Sequence, residues 1–114
     1  MKILIQRVNK ASVEIDGKCI ASIKKGLLVL WGIAKTDTTH DADKLIKKLL
    51  QLRIFEDENQ NMNINIEEVK GELLIVSQFT LYGDCQKGRR PTFTKAASSE
   101  YAKKIMDYIE KKIK

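Results

Sequence analysis

A chain of 114 residues has room for one domain, since domains commonly run to about 100–200 residues. Hydrophobic residues at 43% suffice for a single core, and charged residues at 32% argue against a membrane protein. The net charge of +6 favours an acidic partner such as RNA, although lysine-rich surfaces without such a role are common.

Residues 1–8, Met1-Lys2-Ile3-Leu4-Ile5-Gln6-Arg7-Val8, make a short β-rich run broken by charge. They lack the long apolar region and small-residue cleavage site of a signal peptide. The longest apolar run, 27–33, is far shorter than the ~20 residues needed to cross a bilayer. A cytoplasmic protein is expected. Next, Val13 and Ile15, then Ile20 and Ile23, flank Asp16-Gly17, a dipeptide suited to the positive φ angles of a tight hairpin. Leu27-Leu28-Val29-Leu30-Trp31-Gly32-Ile33 is apolar on both faces and reads as a central strand buried on both sides.

A helix follows. Thr38 or Thr39 can cap it, Asp41 and Asp43 suit its positive N-terminus, and Ala42, Leu45, Ile46, Leu49 and Leu50 line one face. Lys44, Lys47 and Lys48 on the other face read as solvated surface. Residues 52–55 return as a short strand, and the Asn-rich 56–65 is a loop by composition. Leu73-Leu74-Ile75-Val76 resumes a buried strand that runs on into Ser77-Gln78-Phe79-Thr80-Leu81. Residues 82–94 hold two glycines and the only proline, which makes them a loop. Ser98 or Ser99 can cap a last helix, with Tyr101, Ala102, Ile105, Met106, Ile109 and Ile113 on its apolar face. The order β-β-β-α-β-β-α predicts an α+β fold: a curved antiparallel or mixed sheet, or a barrel-like one, with two helices in a single domain.

Chemistry has few places to sit. No Gly-x-Ser-x-Gly elbow, phosphate-binding glycine loop or paired histidine occurs. His40, the single histidine, falls at a helix start, so a Ser-His-Asp relay is rejected. Cys19 and Cys85 are far apart and read as reduced, structurally minor thiols; Cys and His together cannot make a four-ligand zinc site. Lys87, Arg89, Arg90 and Lys95 fall within nine positions and either touch phosphate or solvate a loop. Ser77-Gln78-Phe79-Thr80, polar groups set directly after buried apolar ones, either satisfy neighbouring backbone or present N–H groups and hydroxyls to a ligand. Thr80 could position water or act as nucleophile, yet no residue near it in sequence would serve as its base. So weakly equipped a site suits an activated ester such as aminoacyl-tRNA, whose adjacent ribose hydroxyl can assist.

The motifs point the same way. Ile5-Gln6-Arg7-Val8, Ala11-Ser12-Val13, Gly26-Leu27-Leu28-Val29-Leu30, Leu52-Arg53-Ile54-Phe55 and Met62-Asn63 are followed by Val76-Ser77-Gln78-Phe79-Thr80-Leu81 and Gly88-Arg89-Arg90-Pro91 with Phe93 and Ala96. In this order and spacing the chain resembles the D-aminoacyl-tRNA deacylases over essentially its whole length. The resemblance implies a homodimer of the deacylase type, with active sites at its interface and a pocket for the 3′-terminal aminoacyl-adenosine. It implies ester hydrolysis of D-aminoacyl-tRNA, and of mischarged Gly-tRNA, with no metal or organic cofactor. It carries catalysis onto Ser77, Gln78, Phe79 and Thr80, the backbone around Gln78 and Phe79 facing the ester. Thr80 as nucleophile competes there with assistance by the tRNA 2′-hydroxyl, and the missing base favours the latter. It carries substrate binding onto Arg7, Met62, Arg89, Arg90, Pro91 and Phe93, with Arg7 bracing the chirality-checking element; Phe93, in the loop after Pro91, is the candidate for packing on the terminal adenine, since aromatic side chains commonly stack on unpaired bases.

One departure stands out. The family's chains continue past the last helix into strands with a Gly-Pro-Val-Thr segment, whose Gly–cis-Pro bond enters the partner's site and rejects L-aminoacyl esters. The only proline here is Pro91. The favoured expectation is an incomplete record of a longer chain. A truncation that has lost selectivity or activity, leaving a tRNA-binding or dimerisation module, and a takeover by another segment are the alternatives. A small structural protein is the remaining reading.

Overall fold

The computed structural model describes residues 1–86 and 88–113. Their elements are β1 (Lys2–Val8), β2 (Ala11–Ile15), β3 (Lys18–Ile23), β4 (Gly26–Gly32), α1 (Thr39–Gln51), β5 (Phe55–Glu56), β6 (Met62–Ile64), β7 (Glu72–Ser77), a 3₁₀ turn (Phe79–Tyr82) and α2 (Ser99–Ile113). Two helices and open sheets make this the α+β class expected. No helix among the described residues is long and apolar enough to cross a membrane.

β4 lies between β1 and β7 in a three-stranded sheet, as its two apolar faces require. Leu27, Val29 and Trp31 on it are wholly buried, each worth about 1.5–3 kcal/mol by transfer from water. β2 and β3 pair antiparallel from Ala11↔Ile23 to Ile15↔Lys18 around Asp16 (φ 51) and Gly17 (φ 80), the turn that the dipeptide predicts. Val13 faces Ala21 while Glu14 faces Cys19, so Ile20 is the extra residue of a bulge.

Three boundaries differ from the sequence expectation. The short strand is Phe55–Glu56 rather than 52–55, because helical bonding runs on to Leu52, whose N–H donates to Lys48. The Asn-rich stretch is not all loop: β6 pairs with β5, since Asp57 folds the chain back tightly enough for Met62 to meet Glu56. The chain also leaves the strand after Ser77 rather than running extended to Leu81.

Contacts divide the chain into two compact units, Met1–Leu4 with Leu30–Ile46 and Ser77–Lys114, and Ile5–Val29 with Lys47–Val76. In the first, Trp31, Ile33, Ala42, Ile46, Tyr82, Ala96, Ile105 and Ile109 are buried. Asp41 accepts the Thr38 N–H at 2.8 Å and the Ser98 hydroxyl accepts the Tyr101 N–H at 3.2 Å, so both helices start where the cap residues suggest. The Thr38 N–H, with smaller help from its hydroxyl and nearby charge, holds the Asp41 carboxyl below its ordinary range against a desolvation penalty. Buried Asp37 accepts the Ala34 N–H and pairs with the Met1 ammonium, both at 2.7 Å, while its carbonyl accepts the Tyr101 hydroxyl. In the second unit Leu27, Val29, Leu49, Phe55, Ile66 and Leu74 are buried. Gly26 lies so close to β7 that a methyl group there would stand 1.8 Å from the Glu72 carbonyl oxygen.

Candidate active site

The apolar run Leu73-Leu74-Ile75-Val76 makes β7, and its end is set by its neighbour. Gln78, still extended at φ −145 and ψ 94, donates its N–H to the Trp31 carbonyl at 2.8 Å. Beyond it the next carbonyl is not open to β7: that of Ile33, just past β4, accepts the Ala97 N–H at 2.9 Å. With no strand left to pair, the chain curls into 3₁₀ bonds, Leu81 N–H to Gln78 carbonyl at 3.4 Å and Gly83 N–H to Thr80 carbonyl at 3.0 Å.

This curl decides which polar groups are available. The first N–H groups of any helical turn have no acceptor inside it. Here they belong to Phe79 and Thr80, and no side chain caps the turn. Gln78, the residue placed to cap, instead donates its side-chain amide to the Thr80 hydroxyl. That partner cannot take a proton, so it does not make Thr80 a nucleophile. Tyr82, buried at the end of the turn, has its pKa raised by burial and then by the charges of Asp37 and Asp41; it stays a neutral phenol and is no base either.

Phe79 is 57% exposed and meets Phe93 edge-on, with ring centroids 5.1 Å apart and planes at 67°. Phe93 follows a closed neck, where Asp84 and Thr92 exchange two backbone hydrogen bonds of 2.8 Å. The loop above this neck carries Arg89, Arg90 and Pro91, all exposed, and the Asp84 carboxylate turns inward to the Gln86 N–H at 2.9 Å. Lys87, grouped with these arginines by sequence, lies outside the described residues. Gly83 lets Phe93 approach: a methyl group there would stand 3.2 Å from the ring and 3.2 Å from the Thr80 carbonyl oxygen.

Ser77, Gln78, Phe79, Thr80, Arg89, Arg90, Pro91 and Phe93 thus share one compact unit, while Arg7 and Met62 belong to the other. There Arg7 makes a single 3.8 Å contact with Glu56 and lines a cavity of about 370 Å³ with Val8, Asn9, Lys25, Phe55 and Glu56. Met62, 63% exposed, sits on β6 opposite Glu56. Charge separates the units too. The unit with the turn has twelve basic and seven acidic residues, the other nine and eight, so nearly all the net charge lies with the turn. Among the described residues no cluster of three or more His, Cys, Asp or Glu could hold a metal.

Two residues against the turn, Lys2 and Gly32, are not singled out by sequence patterns. A glycine inside an apolar strand, which often marks close backbone approach, is the one signal that points to Gly32.

A family model described as D-Tyr-tRNA(Tyr) deacylase matches residues 4–114. The chain belongs to this deacylase family. It is 54% identical over 114 residues to a Thermosipho melanesiensis protein named D-aminoacyl-tRNA deacylase, covering all of this chain and 76% of the relative. A Clostridium tetani protein of the same name is 55% identical over the same shares. Among solved structures, one described as c-Myc DNA Unwinding Element Binding Protein superposes with TM-score 0.93 at 36% identity, covering 99% of this chain and 76% of the other. A probable eukaryotic D-amino acid tRNA deacylase superposes with TM-score 0.81 at 19% identity, covering 97% and 65%, and shares the fold. The family resemblance read from the spaced motifs is therefore borne out.

Proposed function

We propose that this chain hydrolyses the ester joining a D-amino acid, or mischarged glycine, to the 3′-terminal adenosine of tRNA, acting as a single deacylase-like domain over residues 1–114. The observation that carries the reading is the Ser77–Thr80 segment of a family member ending in a turn with two uncapped backbone donors.

Water attacks the carbonyl carbon, the bond to the ribose oxygen breaks, and free amino acid and tRNA leave. The tetrahedral oxyanion accepts the Phe79 and Thr80 N–H groups; one such donor is worth ~3 kcal/mol in a known hydrolase. The neighbouring 2′-hydroxyl takes a proton from the attacking water as it passes its own to the departing 3′-oxygen, so the ribose leaves with both hydroxyls; Thr80, bonded to an amide, has no base to make it a nucleophile. Gln78 holds the Thr80 hydroxyl, and Ser77 anchors the strand end before it. Phe93, already edge-on to Phe79, takes the adenine face. Arg89 and Arg90 meet phosphate on a loop stiffened by Pro91, and the basic excess of this unit supports that assignment. Arg7 and Met62 are assigned to substrate binding by the family motifs that contain them. The chemistry uses water and the substrate's own hydroxyl and needs no cofactor.

The same reading has the protein act in the cytoplasm as a homodimer with sites at its interface. The exposed Ile15 and Ile20 of the β2–β3 hairpin support association.

Purified protein should release D-Tyr from D-Tyr-tRNA and spare L-Tyr-tRNA. Binding of tRNA without any release, at micromolar enzyme, would leave the inactive module as the correct reading. For the mechanism, Thr80→Ala keeps substantial activity, while tRNA ending in 2′-deoxyadenosine is processed at least about a hundredfold more slowly. The reverse pattern would restore Thr80 as nucleophile.

A further inference from the structure

The Phe79–Tyr82 turn is held from two directions by residues outside it. On one side is Gly32, the last residue of β4. A methyl group on Gly32 would stand 3.1 Å from Leu81 Cβ, 3.3 Å from the Gln78 carbonyl oxygen and 3.3 Å from Tyr82 Cδ2. All three atoms belong to the turn or to the residue that starts it. The turn therefore rests on bare backbone, and any side chain at position 32 would push it away by a few tenths of an ångström. Two of the three atoms are main chain or Cβ, so no flexible side-chain end can give way.

The second hold is on the C-terminal end of the turn. Lys2, from β1, reaches the Leu81 carbonyl with Nζ at 3.5 Å. The same ammonium lies 4.8 Å from the centroid of the Tyr82 ring, inside the ~6 Å range of a cation–π contact. Carbonyls at the end of a helical turn lack donors within it, so a cation there is favourably placed. Tyr82 is buried and kept neutral, which preserves the ring face that the cation uses.

We infer that Gly32 and Lys2 are positioning residues for the ester hydrolysis. Gly32 sets how near the turn lies to β4, and Lys2 pins its C-terminal end. With the turn held by both, the Phe79 and Thr80 N–H groups keep one direction. The inference rests on the deacylase reading of this turn. Hydrogen bonds to an oxyanion that exists only during reaction are sensitive to small displacements, and losing their alignment lowers turnover rather than affinity. Adenine and phosphate are met by Phe93, Arg89 and Arg90 in that reading, so ground-state binding stays. A merely structural role would lower stability and leave turnover per folded molecule untouched.

Steady-state hydrolysis of D-Tyr-tRNA by the full chain and by Gly32→Ala, Lys2→Met and Lys2→Arg tests this, with folded fraction measured by near-ultraviolet circular dichroism. Gly32→Ala should lower kcat by about tenfold or more with KM changed by less than about twofold. Lys2→Met should lower kcat by about threefold to tenfold, and Lys2→Arg should restore it, since a guanidinium keeps the cation over the ring. Should Gly32→Ala fail to fold, the Lys2 pair decides. An unchanged kcat in Gly32→Ala or Lys2→Met, a loss confined to KM, or a Lys2→Met loss that arginine does not restore overturns the inference. A parent chain that releases no D-Tyr refutes the deacylase reading and the inference with it. An active parent with unchanged variants refutes the inference alone.

Discussion

Two turns that follow strand ends use their polar groups in opposite ways. After β5, the carboxylate of Asp57 accepts the N–H groups of Asn59 at 2.9 Å and Asn61 at 3.1 Å. Asp57 and Asn61 are also joined through backbone at 2.9 Å, and Gln60 takes the positive φ of 63 that closes the turn. A little further on, Asn65 and Glu68 cap each other's N–H groups at 2.9 and 3.4 Å. After β7, by contrast, the amide of Gln78 bypasses its own turn's donors and goes to the Thr80 hydroxyl. A typical hydrogen bond nets about 1 kcal/mol, so a turn selected only for stability would close these donors. The chain closes its donors at the Asp57 corner and leaves those of the Phe79–Tyr82 turn without a side-chain cap.

The largest expected effect breaks this contrast at one atom. Phe79→Pro removes a single N–H at the first position of a helical turn, where the proline ring is well tolerated and the extended Gln78 before it suits a proline. Against Phe79→Leu, which also loses the ring but keeps the donor, Phe79→Pro should lower kcat/KM for D-Tyr-tRNA by about a hundredfold. Equal activities would mean that the open donor is unused.

A smaller effect probes the closed Asn65–Glu68 turn that follows β6. Asn65→Ala should lower the unfolding free energy in urea by about 1 kcal/mol while kcat stays at the parent value. A fall in kcat would show that the closed turn, too, serves the reaction.

The smallest concerns acid. The N–H of Asn61 and then that of Asn59 hold the Asp57 carboxyl below its ordinary pKa, against a desolvation penalty. Its contribution is therefore present above the ordinary carboxylate value of about 3.9 and is lost as pH falls through the depressed folded value. Urea midpoints compared at pH 6 and pH 3 should fall less for Asp57→Asn than for the parent chain. An equal fall would remove the carboxylate from the explanation.

What the sequence makes legible follows from how local each cause is. The Asp16-Gly17 turn, the caps at Thr38 and Ser98 and the double-faced apolar run of β4 are written in neighbouring residues and appear where expected. β6 is hidden because its polar, Asn-rich setting reads as loop, and only the fold-back at Asp57 reveals a partner. The end of β7 is hidden for a longer-range reason: the bond from Ala97 to Ile33 closes off β4. Residues 77–80, taken alone, look like any polar strand end. Their meaning comes from motifs spread along the chain, which no single window contains. Lys2 carries no local signature of its neighbours in the turn, and Gly32 carries only that of a glycine inside an apolar strand.

The order in which the chain leaves the ribosome gives the sheet topology one more consequence. The β2–β3 hairpin needs only the few residues around Asp16-Gly17 and can close as soon as both strands emerge. The Phe79–Tyr82 turn is different, because Lys2 meets Leu81 across 79 positions and Phe79 meets Phe93 further on still. Its loop-closure entropy is met only after most of the chain has been made. The Phe79–Tyr82 turn is thus among the last parts to take shape, and a nascent chain still short of Phe93 has no assembled version of it.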